Sequence, residues 1–208
     1  MTAGPRLVAL DVDGTILHED ASLSDAVRDA VAAVSAGGHI VTIATGRSWA
    51  ATKPVLDALG LEPEYVVCAN GALVLKRDDE EESGYRRHLI ETFDSREVLE
   101  TIHAQLEDGR YMVELPDGHR KYTEGMIDWD LEDAEQVPFD RLSEEPVMRV
   151  VVVAPGQGEQ EFLERVESMG LHQVAYSIGW TAWLDIAPQG VNKSTALEAV
   201  REALEIPG

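Results

Sequence analysis

The N-terminal part of the chain repeats one pattern, in which a short apolar run alternates with a stretch of helical periodicity. The apolar runs cover residues 6–10, 40–44 and 65–68, which we predict to be strands. The stretches between them, 23–35 and 47–59, carry apolar side chains at helical spacing, and each is followed by glycine. Strands and helices that alternate at this pitch form a parallel sheet with right-handed crossovers. We therefore predict an α/β fold whose parallel sheet is covered on both faces.

Polar residues follow all three of these strands. Asp11, Thr45 and Asn70 each lie just past the carboxyl end of an apolar run. In open parallel sheets, ligands bind beyond the carboxyl ends of the strands. Polar side chains after three separate strands therefore predict one binding site at this rim of the sheet.

The first strand leads directly into a turn that contains two carboxylates, Asp11-Val12-Asp13-Gly14-Thr15. Side chains alternate along an extended chain, so Asp11 and Asp13 project the same way while Val12 points back into the packing. Gly14 lets the chain turn tightly and approach an anion. A nucleophilic carboxylate beside an acid/base carboxylate suits phosphoryl transfer through an aspartyl phosphate. The alternative is a surface turn, in which Asp and Gly are also common.

Two further segments have the composition of a phosphate site. Thr45-Gly46-Arg47 joins a strand-end hydroxyl to a glycine and a helix start, which favours a bound phosphate oxygen. The alternative is that Thr45 only caps the helix. Lys193, one of four lysines in the chain, lies at the start of a predicted helix, 193–204. A cation there opposes the helix dipole and needs another reason, unless Lys193 is an ordinary exposed lysine.

After the third strand the pattern changes to hairpins mixed with helices. Residues 71–76 and 86–91 flank an acidic run and predict a hairpin. The elements predicted next are a helix at 95–107, a strand at 110–115, a short helix near 123–130, a strand at 147–153, a helix at 157–168, and strands near 172–178 and 181–187. This mixture predicts an α+β domain, residues 88–186, inserted into a discontinuous core of residues 1–87 and 187–208.

Charge and composition restrict the partners. The formal net charge of −22 repels nucleic acid and anionic membranes, so we expect neither as a partner. A phosphate site in such a chain must be made locally positive by Lys, Arg, backbone N–H groups or a bound cation. Cys68 is the only cysteine, which excludes an internal disulfide and favours core packing over catalysis. No apolar run reaches about 18 residues, so we expect a cytoplasmic protein without a membrane span.

The polar segments, taken together, resemble the motifs of the haloacid dehalogenase (HAD) superfamily. In chain order they are Asp11-x-Asp13-Gly14-Thr15, Thr45-Gly46-Arg47, Asn70-Gly71-Ala72 and Gly190-Val191-Asn192-Lys193. Their order and spacing are similar to those of the Cof-type phosphatases, which carry a type II cap between the second and third motifs. The resemblance implies a HAD-like Rossmannoid parallel-sheet core with an inserted α+β cap domain.

The resemblance also implies a role for each matching residue. Asp11 would be the nucleophile and a Mg²⁺ ligand. Asp13 would be the general acid and then the base, and its backbone carbonyl would be a second metal ligand. Thr45 would hold a phosphoryl oxygen, and Lys193 would neutralise charge around Asp11. The substrate-binding residues expected at the rim are Gly46, Arg47 and Asn70. This set suits an in-line displacement, which needs alignment, a divalent cation and fixed positive groups.

One family feature is absent from the sequence. Family members end with a further strand and a Gly-Asp-x-x-Asn-Asp type motif, whose acids complete the Mg²⁺ site. No Asp follows Lys193, and the last carboxylate is Glu205. We therefore expect a shortened form of a longer enzyme, with a core that lacks its last strands and binds Mg²⁺ poorly. The strand at 6–10 would then be an exposed edge through which two copies could pair as a homo-oligomer.

The expected function is that of a Mg²⁺-dependent phosphatase acting on a small phosphorylated metabolite, a sugar phosphate or a phosphoglycolate-like acid. The tryptophans of the insertion, Trp129, Trp180 and Trp183, either belong to its core or stack on a sugar. One alternative is a phosphosugar mutase of the same superfamily, which returns the phosphoryl group to a sugar. Another is a binding protein that has lost its catalytic activity.

Overall fold

The computed structural model describes residues 4–18, 20–126, 131–171, 174–178 and 183–207. It divides the chain into two compact units, Met1–Ile90 with Val191–Gly208, and Glu91–Gly190. The sequence-based boundaries, at 87/88 and 186/187, each fall inside a strand, three and four residues before the corresponding ends of these units. The strand that contains residue 87 continues to Ile90, which pairs with Leu73. The strand that contains residue 186 remains paired as far as Pro188. The first unit boundary therefore coincides with the end of a ladder, and the second lies two residues beyond one.

Most predicted elements are present, with ends shifted by a few residues. The first unit contains β1 (Leu7–Leu10), α1 (Asp25–Ala36), β2 (Ile40–Ile43), α2 (Trp49–Leu59), β3 (Tyr65–Cys68), β4 (Leu73–Arg77) and β5 (Tyr85–Ile90). The second contains α3 (Arg96–His103), β6 (Arg110–Glu114), β7 (Arg120–Tyr122), β8 (Glu135–Gln136), β9 (Arg149–Val153), α4 (Glu159–Ser168), β10 (Val174–Ile178) and β11 (Trp183–Pro188). The chain then returns to the first unit with α5 (Lys193–Ala203). No described helix is long and apolar enough to cross a membrane.

The strands of the first unit run parallel where the sequence predicts it. β1 pairs in parallel with β2, and a parallel bridge between Ala44 and Val67 continues the order to β3. β4 and β5 follow as an antiparallel hairpin. The α/β fold class is confirmed, and the carboxyl ends of β1, β2 and β3 meet at one rim. Among the described strands, β1 pairs only with β2.

The core of the first unit is built around β3. All four of its residues are buried, which explains why this strand is an uninterrupted apolar run in the sequence. Helix α5 packs Ala196 and Val200 into a cluster that includes Val67 and Val74. Helix α5 therefore packs on β3 and β4, and its first residues lie near the rim that carries the polar residues.

The described strands of the second unit form a six-stranded sheet in the order β10-β11-β9-β6-β7-β8. Helices α3 and α4 bury Leu99, Ile102, Phe162 and Val166 in a core shared with this sheet. The described part of the short helix predicted near 123–130 is wrong, because residues 123–126 are not helical. The rest of that helix, residues 127–130, lies outside the described residues.

The tryptophans expected in the insertion are only partly described. Trp183 packs against a cluster of Met112, Met126 and Val151, so it belongs to the hydrophobic packing of this unit. Trp129 and Trp180 lie outside the described residues.

The sequence pattern also missed β7 and β8, which are strands of three and two residues. Strands this short carry too few residues to show an alternating pattern.

Candidate active site

The turn after β1 separates the two carboxylates from the core as the alternation predicts. Val12 is fully buried, whereas Asp13 is exposed. The Val12 carbonyl accepts hydrogen bonds from the backbone N–H groups of Thr15, Ile16 and Leu17. Gly14 adopts a φ of 69°, in the left-handed region that glycine enters without strain. One buried residue thus anchors a tight turn that presents Asp11 and Asp13 at the rim.

Asp11 is held by two donors through one oxygen. Its Oδ1 accepts from the Val12 N–H at 2.9 Å and from Lys193 Nζ at 2.8 Å. Neither donor engages Oδ2. A carboxylate fixed through one oxygen keeps the other available to a reactant. Lys193 is therefore more than an ordinary exposed lysine, because it forms an ion pair with the residue expected to be the nucleophile.

Lys193 reaches Asp11 because the start of α5 is capped without it. The Asn192 side chain accepts from the backbone N–H groups of Ser194 and Thr195, both at 3.0 Å. Thr195 Oγ1 accepts in return from the Asn192 N–H at 3.0 Å, which completes a capping box. Asn192 therefore satisfies the first backbone donors, and the Lys193 ammonium faces a carboxylate that offsets its unfavourable position at a helix start.

Gly71 is a residue of this site to which the sequence reasoning assigned no role. A Cβ atom at Gly71 would lie 2.4 Å from the Asn192 carbonyl oxygen and 2.6 Å from the Asn192 carbonyl carbon. Its φ of 103° is also a glycine conformation. Gly71 therefore lets the first residues of α5 dock against the turn after β3. The Asn70-Gly71 pair after a strand signals a tight turn, but the sequence does not show what approaches it.

Thr45 is fully buried at the end of β2 and does not cap α2. Its hydroxyl accepts from the Arg47 N–H at 3.1 Å, while the helix cap is Ser48, which accepts from Ala51. The N-cap alternative for Thr45 is therefore wrong. The Thr45 carbonyl accepts from the Asn70 N–H at 3.0 Å. This bond ties the ends of β2 and β3 together.

Gly46 and Asn70 touch at the same rim. A Cβ atom at Gly46 would lie 3.0 Å from the Asn70 side-chain oxygen, so any larger residue would push the amide aside. Asn70 itself has a φ of 52°, a left-handed conformation that asparagine tolerates better than most residues. Glycine and asparagine at these positions let the two strand ends approach closely.

Arg47 and Asp13 form a forked ion pair. Arg47 Nη2 lies 2.6 Å from Asp13 Oδ1, and Arg47 Nε lies 3.2 Å from Oδ1 and 3.0 Å from Oδ2. Each of the two site carboxylates therefore faces one cation, Asp11 with Lys193 and Asp13 with Arg47. In a chain with a net charge of −22, each of these two carboxylates is thus balanced by one cation.

The donor set available to a divalent cation is small. Among the described residues, no group of three or more His, Cys, Asp or Glu side chains could hold a metal ion. The Asp11 carboxylate and the neighbouring Asp13 backbone carbonyl are hard oxygen donors of the kind that Mg²⁺ prefers. Mg²⁺ commonly takes one or two protein oxygens and completes its shell with water and phosphate, so this set fits Mg²⁺ as a partial site.

Relatives of known name match different lengths of the chain. A Bacillus subtilis protein named 5-amino-6-(5-phospho-D-ribitylamino)uracil phosphatase is 25% identical over 215 aligned positions, which cover 100% of this chain and 78% of the relative. A second Bacillus subtilis relative is 41% identical over 71 residues, 33% of this chain. The chain spans only 26% of that relative and 46% of a Streptococcus pyogenes relative, less than half of either protein.

Solved structures share the fold at low sequence identity. A HAD subclass IIB sugar phosphatase superimposes with a TM-score of 0.75 at 19% identity, and the match covers 98% of this chain and 77% of that one. The family model for haloacid dehalogenase-like hydrolases matches residues 8–208. This match includes every motif of the rim described above. The chain therefore belongs to the family of haloacid dehalogenase-like hydrolases.

Proposed function

We propose that the protein is a phosphoric monoester hydrolase that acts on a small phosphorylated metabolite through a phosphoryl-enzyme intermediate on Asp11. One observation carries the proposal: Asp11 is held by Lys193 and its own turn through Oδ1, while neither donor engages Oδ2. Membership of the family and the similarity to proteins named as phosphatases support the same reaction class.

The proposed chemistry has two steps. In the first, Asp11 Oδ2 bonds to phosphorus as the bond from phosphorus to the leaving oxygen breaks, and Asp13, which enters this step in its protonated form, gives its proton to that oxygen. In the second, water bonds to phosphorus as the bond to Asp11 breaks, and Asp13 takes a proton from the water. Inorganic phosphate leaves, Asp11 is again a free carboxylate, and Asp13 is again protonated.

The remaining rim residues would bind the phosphoryl group. Lys193 would oppose its charge, and the Thr45 hydroxyl would donate to one of its oxygens. The proposed substrate-binding residues are Gly46, Arg47 and Asn70. The net charge of −22 makes these contacts necessary, because on average a phosphate dianion is repelled by such a chain.

We also propose Mg²⁺ as the cofactor, held by the Asp11 carboxylate and the Asp13 backbone carbonyl. When bound, a divalent cation supplies positive charge that stabilises a phosphoryl group in transfer. The two donors alone make a weak site, so we expect added Mg²⁺ to be needed in excess and substrate phosphate to strengthen its binding.

The proposed substrates are sugar phosphates and phosphoglycolate-like acids. The similar proteins include a sugar phosphatase and a phosphatase of a phosphorylated ribityl compound, so both sugars and sugar alcohols belong in a substrate panel. We further propose that residues 91–190 are the cap domain of this hydrolase, the source of its substrate preference.

The test is phosphate release from this panel by wild type and two matched variants. Asp11→Asn keeps the side-chain shape but removes the nucleophile, and we expect its rate to fall by about 10⁴-fold or more. Asp29→Asn changes an exposed aspartate on α1 outside the rim, and we expect no change. Near-normal turnover by Asp11→Asn would overturn the proposal. An isomerised sugar phosphate in place of free phosphate would identify a phosphosugar mutase instead.

A further inference from the structure

We propose that Arg47 is an exchangeable latch on Asp13. In the free protein its guanidinium holds the Asp13 carboxylate; in the substrate complex it binds the phosphoryl group and releases Asp13 for proton transfer. The inference rests on the proposed function and deepens it, because it states what controls the proposed acid and base.

The contacts of the two site carboxylates differ in kind. Both oxygens of Asp13 accept from Arg47, through donor distances of 2.6, 3.0 and 3.2 Å. Asp11 is engaged by Lys193 and Val12 through one oxygen only. A carboxylate whose two oxygens face one guanidinium is not aligned on a leaving oxygen. Asp13 must therefore leave Arg47, at least in part, before it exchanges a proton with substrate.

The backbone of Arg47 is fixed at the rim, so only its side chain is free to move. The Arg47 N–H donates to Thr45 Oγ1 at 3.1 Å, and its carbonyl accepts from the Ala69 N–H at 2.9 Å. These bonds keep the Arg47 backbone between the ends of β2 and β3, where the phosphoryl group is proposed to bind. A guanidinium fork matches phosphate as well as it matches carboxylate, so both anions suit the same side chain.

The ion pair is exposed enough to exchange. The side chains of Arg47 and Asp13 are 27% and 55% exposed, and pairs of this kind add little to stability. The pair of Arg149 and Asp185 in the second unit provides a contrast, since those side chains are 4% and 1% exposed at 2.7 Å. Breaking that pair would leave a buried charge, whereas breaking the Arg47 pair returns Asp13 to water. The geometry of Arg47 and Asp13 is therefore that of a latch and not of a structural lock.

A double-mutant cycle on phosphate binding tests the latch without measuring turnover. The four proteins are wild type, Asp13→Asn, Arg47→Gln and the double variant, each titrated calorimetrically with inorganic phosphate at the same excess of Mg²⁺. If Asp13 competes with phosphate for Arg47, Asp13→Asn should tighten phosphate binding by up to about fivefold when Arg47 is present. The same substitution should have a much smaller effect in the Arg47→Gln background, where there is no guanidinium to compete for.

Simple repulsion between Asp13 and phosphate predicts the opposite coupling. Without Arg47 the Asp13 charge is not neutralised, so its removal should help phosphate at least as much in the Arg47→Gln background. That result would overturn the latch. Asp25→Asn, which breaks the exposed pair with Arg28, is the control and should not change phosphate affinity.

Two further outcomes separate the latch from the proposed function. If phosphate binding is lost in Lys193→Ala but the cycle shows no coupling, the latch fails and the proposed function stands. If wild type binds no phosphate, both fail. Thermal unfolding of each variant checks its fold, and Arg47→Met, which removes the charge and the fork but keeps an apolar stem, replaces Arg47→Gln in the cycle if the latter is destabilised.

Discussion

At the scale of single residues, the rim divides two cations between two carboxylates in unequal ways. Lys193 contacts one oxygen of Asp11, and Arg47 contacts both oxygens of Asp13. A lysine ammonium is a compact point charge and an arginine guanidinium is a fork, so the two pairs differ in geometry as well as in partner. The residue with an oxygen to spare is the proposed nucleophile, and the residue with both oxygens engaged is the proposed acid.

Lys193→Ala should lower turnover of a phosphate monoester by about 100-fold or more, because it removes the fixed cation beside the reacting carboxylate. The unfolding free energy should change by less than about 1 kcal/mol, since the pair with Asp11 is partly exposed. Steady-state rates and chemical denaturation measure the two effects. Lys53→Ala, which breaks an exposed pair with Asp57 on α2, is the matched control and should retain full activity. Equal losses in both variants would contradict a specific role for Lys193.

Gly71→Ala should destabilise the protein by roughly 2–4 kcal/mol and impair turnover. The new Cβ would clash with the Asn192 backbone, and alanine would be strained at the positive φ of this position. Gly84→Ala is the matched control: its φ is 75°, but a Cβ there has nothing within 4 Å. Its unfolding free energy should fall by only about 1 kcal/mol, from backbone strain alone, and its activity should be normal. Denaturant titrations and rates of both variants provide the measurement, and indistinguishable behaviour would show that α5 does not depend on this contact.

At the scale of secondary-structure elements, each unit joins distant segments through a small number of polar contacts. In the first unit, α5 brings Lys193 to a strand end that is 182 positions away in the sequence. In the second unit, Arg149 on β9 lies between Glu114 on β6 and Asp185 on β11, and all three residues are buried. Buried charges of this kind are tolerated only with their partners in place.

Arg149→Met should therefore destabilise the second unit by about 3–5 kcal/mol, because it leaves two buried carboxylates without their cation. Arg141→Met removes an exposed pair with Glu144 and should change stability by less than about 1 kcal/mol. Thermal unfolding of both variants is the measurement. A small effect of Arg149→Met would mean that the carboxylates of β6 and β11 are satisfied by other groups.

The hairpin strand β5 gives the first unit a sensitivity to alkaline pH. Burial raises the pKa of Tyr85 to about 12, and its hydroxyl donates to the Pro63 carbonyl at 2.8 Å. In the unfolded chain a tyrosine ionises near pH 10. The stabilisation by the neutral phenol is therefore complete below about pH 10 and is lost as the pH rises toward 12. Unfolding free energies of wild type should fall more steeply over this range than those of Tyr85→Phe, and parallel slopes would contradict the assignment.

The sequence predicted elements and the rim better than it predicted contacts. The alternation of strands and helices up to residue 68 placed Asp11, Thr45 and Asn70 correctly at one edge, because the period of a buried strand is a local property. The Arg47–Asp13 pair, the docking of Asn192 on Gly71 and the buried triad around Arg149 are not local. These contacts depend on how segments far apart in the chain pack together, and the spacing of apolar residues along the sequence does not predict that packing.

At the scale of the whole molecule, the charge of the candidate site differs from that of the chain as a whole. The chain carries a net charge of −22, yet the rim pairs each of its two carboxylates with a cation. A net charge of this size repels a phosphorylated substrate at a distance, so we expect Lys193 and Arg47 to be needed to hold it at the rim. All seven candidate residues belong to the first unit, so we expect the chemical step to depend on that unit.

The central claim is that the phosphoryl group is transferred to Asp11 before it reaches water, and chemical trapping of this intermediate tests the claim most directly. Protein mixed with excess phosphate monoester and Mg²⁺ is quenched and treated with borohydride, which reduces an acyl phosphate to an alcohol. Peptide mass spectrometry should then find homoserine at position 11 and unchanged aspartate at position 13, and neither change should occur without substrate. Continued release of phosphate with aspartate intact at position 11, or trapping at position 13, would contradict the account.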